Sequence, residues 1–384
     1  MDRLALGLLS AGHFSVDLSQ GAVPAMLPFF IRERHLSYAA AAGLVLAQTI
    51  SSSILQPLFG GLTDRRSASW LMPAGVVVAS AGLVAATLLP TYGLIWLAIA
   101  VSGVGVAAYH PEGARYTNYA SGDRRATGMS FFSVGGNAGF AAAPVLATPA
   151  LLLLGLRGGW LMGLVPLAVA AALTVQLRRL ESHRTAATGP QAEDAIDGVN
   201  QWGPFALVTG VVLARSVLFY GLNTFVPLYW IGVLHQSPGA GGAALATLLI
   251  TGSAGTLLGG RLADRFSRRR VVLVAVTLTA PLLLLLLSVR GPLFANAVLV
   301  PLALALYVPS SIMVVLGQEY LPDRVGTASG VTLGLSVSVG GLVTPAIGYV
   351  ADRTDLHTAM LLLVALPLIA TALALNLPRR SQRS

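Results

Sequence analysis

The first apolar segment of this chain carries two ionisable residues near its middle. His13 and Asp17 are four residues apart, so they share one face of a helix, and Gln20 lies beside them. Ionisable groups at membrane depth are costly, and they usually face a bundle interior where they mark a substrate or proton path. We therefore predict that Asp17 carries protons. The alternative is a permanent structural pair between Asp17 and a buried arginine.

A second polar cluster runs from Tyr109 to Arg115, in a stretch that otherwise has the composition of a membrane-spanning helix. Glu112 and Arg115 are three residues apart and can pair along one helix face. His110 has a side chain that can change its charge near physiological pH. We predict that this cluster, including Tyr109, lines a polar cavity. The alternative is a neutral His110 that only forms hydrogen bonds, beside a structural clamp of Glu112 and Arg115.

Arg215 is a third candidate, in the seventh apolar segment. A guanidinium is always charged and can hold a carboxylate or a phosphonate through two parallel hydrogen bonds. The internal repeat described below aligns Arg215 with Gly12, beside His13, so we expect the two side chains at a similar depth on facing helices. The alternative for Arg215 is a permanent pair with Asp17.

Several chemistries are disfavoured by what the sequence lacks. It has no cysteine, which excludes disulfides, thiolate catalysis and cysteine-ligated metal sites. It also has no nucleophile elbow, zinc-protease motif or P-loop. His110 and Glu112 are two residues apart and point to different helix faces, which argues against a shared metal ion. We predict no catalytic residue, no metal and no cofactor.

Composition and hydropathy predict an all-α membrane protein that crosses the bilayer many times. The 384 residues are 55% hydrophobic and only 10% charged, whereas soluble domains carry about 25% charged residues. Apolar stretches long enough to span a bilayer recur along the whole chain. We predict twelve spans, at 4–30, 37–63, 70–89, 92–118, 125–150, 158–177, 203–232, 239–261, 270–289, 292–318, 325–350 and 356–377.

The distribution of arginine predicts the orientation of these spans. With the N-terminus inside, sixteen arginines fall in cytoplasmic loops and the C-terminal tail, and outer loops receive only Arg32, Arg34, Arg157, Arg290 and Arg353. Because basic residues favour the cytoplasmic side, we predict that both termini are cytoplasmic. The net charge of +9 is thus explained by topology and does not indicate nucleic-acid binding.

The chain repeats itself at an offset of 200 to 205 residues. Gly60 to Arg65 matches Gly260 to Arg265, and Ser133 to Gly136 matches Ser338 to Gly341. Two six-span halves are typical of alternating-access transporters, whose substrate site lies near the midplane between the halves. The predicted domains are an N-terminal six-helix bundle over 1–178, a cytoplasmic linker over 179–201 and a C-terminal six-helix bundle over 202–384.

The loop repeated after the second and eighth spans is the most specific short motif. We expect its glycine to let two helices approach closely, and its aspartate to meet a helix N-terminus or an arginine and so close a cytoplasmic gate. The predicted gate residues are Gly60, Asp64, Arg65, Gly260, Asp264 and Arg265. The second copy continues into a basic run, Arg268 to Arg270. The motif resembles the signature loop of the major facilitator superfamily.

Nearly the whole chain resembles the fosmidomycin resistance protein family of that superfamily. The first span fits the family pattern at His13, Phe14, Asp17, Gln20 and Gly21. The strongest match covers 109–115 and then 133–137, which adds Asn137 to the candidate site. The chain departs from the family at Val16 and Ser133, where asparagine and glutamine are frequent.

The resemblance implies a transporter of the bacterial inner membrane that uses the proton gradient to export a phosphonate antibiotic. We expect Arg115, Arg215 and His13 to attract an anionic substrate, and Asp17 and Glu112 to exchange protons, with His110 as a relay. The predicted partners are a small molecule, protons and the lipid bilayer, and the chain is expected to work as a monomer. The alternative function is import or exchange of a small organic anion or a phosphorylated metabolite.

Overall fold

The computed structural model describes residues 1–65, 68–122, 124–186, 199–324, 327–328 and 330–378; the side chains of 64, 65, 125, 126, 184–186 and 333–336 lie outside this description. All regular secondary structure in the described ranges is helical. The chain divides into two compact units, Met1–Ala192 and Glu193–Ser384.

Most of the first unit consists of long helices. Its elements are α1 (Arg3–Arg34), α2 (Tyr38–Arg65), α3 (Leu71–Leu88), α4 (Tyr92–Ser121), α5 (Arg125–Leu154), a 3-10 stretch (Gly155–Gly163), α6 (Leu164–Val175) and α7 (Leu177–Ala186).

The second unit is also helical, with shorter pieces towards its end. Its elements are α8 (Trp202–Gly232), α9 (Pro238–Arg265), α10 (Arg268–Ser288), α11 (Pro292–Tyr307), α12 (Pro309–Tyr320), a 3-10 turn (Pro322–Arg324), a π-helical turn (Gly330–Leu335), α13 (Ser336–Arg353), α14 (Leu356–Leu362) and α15 (Ala365–Leu375).

Eleven helical segments in the described ranges are long and apolar enough to cross a membrane. The difference from the twelve predicted spans lies at 125–150 and 158–177, which fall together in the 49-residue segment Thr127–Val175. At about 1.5 Å per residue this segment is more than twice as long as the roughly 30 Å hydrocarbon core, so it suffices for two crossings. The α-helix is interrupted within it at Gly155, whose φ of 60° suits glycine.

Close contact between α1 and α5 forms the centre of the first unit. A Cβ atom at Gly135 would lie 2.4 Å from the carbonyl oxygen of Ser10, and one at Gly139 would lie 2.1 Å from that of Phe14. Only glycine allows the two backbones to approach this closely, as is common between membrane helices. The face of α1 that carries His13 is therefore held firmly against α5.

The beginning of α1 is fixed by a polar contact with α7. Asp2 caps α1 by accepting hydrogen bonds from the backbone of Leu4 and Ala5. Its Oδ2 atom also lies 2.9 Å from Arg179 Nε and 2.9 Å from His183 Nε2. Burial raises the pKa of Asp2, but the hydrogen bonds from Ala5, Arg179 and His183 outweigh burial and lower it to about 2. The first part of the predicted linker is thus a helix bound to the chain terminus.

Candidate functional site

A cluster of three ionisable side chains joins α1 to α4. His13 Nε2 lies 3.3 Å from Asp17 Oδ2, and His110 Nε2 lies 3.4 Å from Asp17 Oδ1. The rings of His13 and His110 meet edge to face, with their centroids 4.9 Å apart. Asp17 therefore lies between two imidazoles, one from its own helix and one from α4.

The outer nitrogen of each imidazole is bound to a backbone carbonyl. His13 Nδ1 lies 2.8 Å from the oxygen of Phe132 on α5, and His110 Nδ1 lies 2.8 Å from that of Val106 on α4. A carbonyl oxygen can only accept, so both Nδ1 atoms must carry a hydrogen and donate it. Proton exchange in this cluster is consequently confined to the two Nε2 atoms and the carboxyl group of Asp17.

Fixed Nδ1 hydrogens make each contact with Asp17 dependent on a further proton. A neutral imidazole protonated at Nδ1 presents a lone pair at Nε2, which repels a carboxylate. A hydrogen bond forms only when a proton lies between Nε2 and the carboxylate oxygen. The contacts at 3.3 and 3.4 Å can thus both be hydrogen bonds only when the cluster holds two exchangeable protons, with a net charge of +1.

Aromatic and glycine residues enclose this cluster. The ring of Phe132 stacks on that of His13 at a centroid distance of 4.0 Å. Tyr109 is buried, and its hydroxyl donates to the carbonyl of Leu9 at 2.5 Å. A Cβ atom at Gly136 would lie 2.5 Å from both Asp17 Oδ2 and His13 Nε2. The Asp17 side chain is 15% exposed, whereas its Oδ1 atom is buried.

The other half of the 109–115 segment lies in a different environment. Glu112 is fully buried, and its Oε1 accepts a hydrogen bond of 3.1 Å from the backbone nitrogen of Ala68. Arg115 Nη1 lies 3.9 Å from the same oxygen and donates to the carbonyl of Thr63. The predicted pair of Glu112 and Arg115 thus links α4 to the end of α2 and the segment before α3, whereas His110 belongs to the cluster with Asp17.

Arg215 occupies the interior of the second unit on α8. Its Nη1 donates to the hydroxyl of Ser310 at 3.1 Å, and its buried Nε has no acceptor among the residues that the structure describes. Tyr220 and Tyr307 lie close enough to interact with its charge. No carboxylate of the described second unit lies within ion-pair distance of Arg215, so this cation has hydroxyl groups around it and no counter-ion from its own unit.

Family comparison places these features in a known class of membrane protein. The family model of the Major Facilitator Superfamily matches residues 9–345. The chain belongs to this superfamily. Its members act on small-molecule substrates within the membrane and are not enzymes. The assignment agrees with the helical architecture and with the polar clusters inside otherwise apolar helices.

Two bacterial proteins are similar to the chain over most of its length. The uncharacterized MFS-type transporter YfnC of Bacillus subtilis (strain 168) is 30% identical over 377 residues, covering 95% of this chain and 90% of the relative. The fosmidomycin resistance protein of Escherichia coli (strain K12) is 28% identical over 368 residues, with the same two coverages of 95% and 90%. The chain is thus a multi-pass bacterial membrane protein.

Two solved structures share the superfamily fold with this chain. A bacterial homologue of the human lysosomal transporter Spinster, in an inward-facing and occupied conformation, has a TM-score of 0.79 at 16% identity and covers 96% of this chain and 95% of its own. The nucleoside transporter NupG has a TM-score of 0.75 at 14% identity, covering 98% of this chain and 100% of its own. At these identities the likeness concerns the fold alone.

The remaining predicted site residues are spread along the superfamily fold. Gln20 is half-buried on α1, and Asn137 is exposed on α5. Among the gate residues, the side chains of Asp64 and Arg65 lie outside the described residues, and Asp264 and Arg265 are exposed. Among the predicted residues of the first unit, the structure thus groups His13, Asp17 and His110 in one cluster and pairs Glu112 with Arg115 in another.

Neither gate glycine, Gly60 in the first unit nor Gly260 in the second, lies at a close helix contact. A Cβ at Gly260 would meet nothing within 4 Å, and one at Gly60 would only touch Pro111 at 4.0 Å. The close approach falls one residue earlier, where a Cβ at Gly259 would lie 2.1 Å from the carbonyl of Val308. In the second unit, the packing role expected of the motif glycine is thus carried by Gly259, which faces Val308 at the junction of α11 and α12.

Sequence reasoning missed the residues that hold the cluster in place. Phe132 provides both the stacked ring and the carbonyl for His13, and Val106 provides the carbonyl for His110. Gly136 provides the space for Asp17 and His13. Phe132 and Gly136 lie in or next to the 133–137 match, but no spacing rule shows which carbonyl accepts a given imidazole. These contacts depend on how α4 and α5 pack on α1.

The cluster also has donors that a metal ion could use. One ligand atom each from His13, Asp17 and His110 lies within 4.8 Å of the others. His110 and Glu112 face different neighbours, as their spacing predicted, so Glu112 is not one of the three donors. Shared protons can satisfy the same three groups, so the absence of a metal ion stays a prediction. Zn²⁺ would compete with protons for these three donors.

Proposed function

We propose that this member of the superfamily is a proton-coupled efflux transporter of the inner membrane, with both termini cytoplasmic. It exports small anionic compounds such as phosphonates by alternating access, acting as a monomer. The observation that carries this proposal is the position of Asp17 between His13 and His110, with both Nδ1 atoms held by backbone carbonyls. Such a cluster binds and releases protons at defined atoms.

The cluster couples its proton content to the contact between α1 and α4. With two protons bound, the charged His110 Nε2 faces Asp17 Oδ1 at 3.4 Å, and their attraction holds the two helices together. When a proton leaves that Nε2, its lone pair faces the carboxylate and the attraction between α1 and α4 becomes repulsion. The His13 contact lies within α1 and leaves the spacing of the helices unchanged. His110 is therefore the group that transmits protonation to helix movement.

Arg215 supports an anionic substrate class. A buried guanidinium without a counter-ion in its unit is costly, and a bound carboxylate or phosphonate would compensate it through parallel hydrogen bonds. The 28% identity to a fosmidomycin resistance protein is consistent with a phosphonate substrate, because fosmidomycin is a phosphonate. Ser310, already bound to Arg215, would provide a further donor or acceptor.

The second candidate function is proton-linked uptake of an anion. The charge of the cluster favours uptake if the anion binds directly to the cluster. The doubly protonated cluster carries a net charge of +1, so an anion bound directly against it would bind together with protons. Proton and anion would then move in the same direction. Export by antiport requires that the anion be anchored elsewhere, as Arg215 allows, and that the two ligands favour opposite conformations.

Proton flux in proteoliposomes tests the proposal. Vesicles containing a pH-sensitive dye are challenged with fosmidomycin, other phosphonates, carboxylates and lipophilic cations. Antiport predicts that addition of an anion drives protons across the membrane opposite to the anion, and that Asp17→Asn abolishes this flux. The exposed carboxylate variant Asp352→Asn serves as the control and should behave as wild type. Protons moving with the anion would establish uptake instead.

The same assay distinguishes a purely structural role of Asp17 from a role as carrier of the coupled proton. Full proton movement in a folded Asp17→Asn protein would show that Asp17 does not carry the coupled proton. Inhibition by micromolar Zn²⁺ in the wild type, relieved at low pH, would show that metal and protons compete for the three donors. Binding of stoichiometric Zn²⁺ with no effect of pH would contradict the assignment of the cluster to protons.

A further inference from the structure

An elongated groove lies on the surface of the second unit, between α9, α10 and α11. Its volume is about 460 Å³, within the range of roughly 300–1,000 Å³ that ligand pockets show. The apolar lining residues Phe266, Val274 and Leu278 are each about half exposed, at 47%, 52% and 49%. The groove therefore opens sideways from helices that cross the membrane, towards the place where lipid lies.

A single charged residue, Arg270, lines this groove. The two arginines before it have other partners, since Arg268 pairs with Glu319 and Arg269 donates to the carbonyls of Leu375 and Leu377. In the described part of the chain, the guanidinium of Arg270 has no ion-pair or hydrogen-bond partner. Within the run 268–270, the unpartnered cation is thus the one at the groove.

The groove follows one face of α10 inward from this cation. Arg270, Val274, Leu278 and Leu282 all line it and recur every four residues, which places them in a row along the helix. Twelve residues of helix rise about 18 Å, slightly more than the roughly 15 Å that one leaflet contributes to the hydrocarbon core. A charge at one end of an apolar row of this length matches a phospholipid, with a headgroup at the surface and an acyl chain below it.

We propose that this groove binds an anionic phospholipid, whose phosphate pairs with Arg270 and whose acyl chain lies along Val274 and Leu278. No acidic side chain lines the groove, so nothing there would attract the ammonium group of a zwitterionic lipid. Arg261, Asp264 and Arg265, all exposed at the end of α9, leave a net positive charge near the same end. Pro301, inside α11, is also part of the apolar lining.

Lipid retention by the full-length protein tests this inference. The purified protein, exchanged into phosphatidylglycerol or phosphatidylcholine of identical acyl chains, is analysed by native mass spectrometry after graded delipidation. We expect retained phosphatidylglycerol, and a loss of about fivefold in its apparent affinity in Arg270→Gln, the effect of one arginine near a membrane surface. Arg290→Gln, an exposed arginine after the opposite end of α10, should retain wild-type affinity.

A second measurement follows the acyl chain and does not depend on Arg270. Leu278→Trp introduces a tryptophan into the groove, and phosphatidylglycerol brominated on its acyl chain should quench this fluorescence more than brominated phosphatidylcholine does. Equal retention of the two lipids, or equal losses in Arg270→Gln and Arg290→Gln, would overturn the proposal. Retention of a second protein copy, or quenching by a hydrophobic solute that displaces no lipid, would assign the groove to another occupant.

Discussion

In the first unit Asp17 lies 3.3 and 3.4 Å from two histidines, whereas in the second unit Arg215 has the hydroxyl of Ser310 at 3.1 Å. In the first arrangement the carboxylate has two titratable partners, and the net charge varies with the number of protons that the cluster holds. The second has a permanent charge and, in the described part of its own unit, no carboxylate to balance it. The Asp17 cluster is thus suited to reversible proton binding, and Arg215 is suited to binding a negatively charged ligand.

Gly136→Ala should have the largest effect, a loss of proton flux through the cluster of the first unit. The new Cβ would lie 2.5 Å from Asp17 Oδ2 and His13 Nε2, so at least one contact with Asp17 must be lost. Displacements of about 1 Å at a functional site can reduce rates about a hundredfold, and we expect that loss in substrate-driven proton flux. Gly61→Ala is the matched control, because its Cβ would meet nothing within 4 Å. Equal flux in both variants would disprove the role of the cluster.

Arg215→Gln should weaken anion binding and leave proton binding by the cluster of the first unit intact. A hydrogen bond to a charged group contributes about 1.5–3 kcal/mol, so the KM for anions should rise about tenfold to a hundredfold. Arg215→Lys keeps the charge and should restore part of the affinity, but not parallel hydrogen bonding. Transport kinetics at varied substrate concentration measure both. The exposed variant Arg157→Gln should change neither, and an unchanged KM in Arg215→Gln would remove Arg215 from the substrate site.

His110→Gln should keep the contact between α1 and α4 but make this contact independent of protonation. The amide of glutamine can donate to Asp17 without taking up a proton, so α1 and α4 should stay linked at every pH. Anion binding should persist, while the dependence of transport on pH becomes shallower than in the wild type. His235→Asn, at an exposed histidine, should keep the wild-type profile. A steep profile in His110→Gln would place the coupled proton elsewhere.

Asp2 variants should have the smallest effect, on stability alone. Asp2→Ala removes the cap of α1 and the pairs with Arg179 and His183, and should cost about 1–2 kcal/mol of unfolding free energy. Asp2→Asn keeps the cap and should cost less than about 1 kcal/mol. Because the pKa of Asp2 is lowered to about 2 in the folded protein, its contribution is complete above the unfolded pKa. It should be lost as pH falls through the folded value.

Unfolding in detergent between pH 7 and pH 3 measures these differences. The gap between wild type and Asp2→Asn should be constant at neutral pH and narrow below about pH 4, where the unfolded carboxyl begins to protonate. A gap that widens as pH falls would contradict the assigned contacts. The transport rates of both variants should remain those of the wild type at neutral pH.

Spacing along a helix predicted local contacts well. The spacing of four from His13 to Asp17, and of three from Glu112 to Arg115, placed each pair on one helix face, and the structure gives distances of 3.3 and 3.9 Å between their charged atoms. The contact between His110 and Asp17 joins residues far apart in sequence and depends on how α4 packs on α1, which periodicity does not reveal. For the same reason the sequence could not divide the 109–115 segment between two environments.

Hydropathy predicted most spans because the apolar length needed to cross a bilayer is a one-dimensional property. It could not show that 125–150 and 158–177 are continuous in helical structure, since that depends on a 3-10 stretch beginning at Gly155. The gate motif illustrates the limit at single-residue scale. Gly259 and Gly260 are identical neighbours in sequence, but only Gly259 faces the backbone of Val308, between α11 and α12.

The contacts of Asp2 have a consequence for biosynthesis. Asp2 precedes Arg179 and His183 by 177 and 181 residues, so it leaves the ribosome long before its partners. At typical translation speeds of about 5–20 residues per second, the interval is roughly 9–36 s. The start of α1 must wait until α7 has been synthesised before these bonds can form. These bonds therefore form only after the last helix of the first unit has been synthesised.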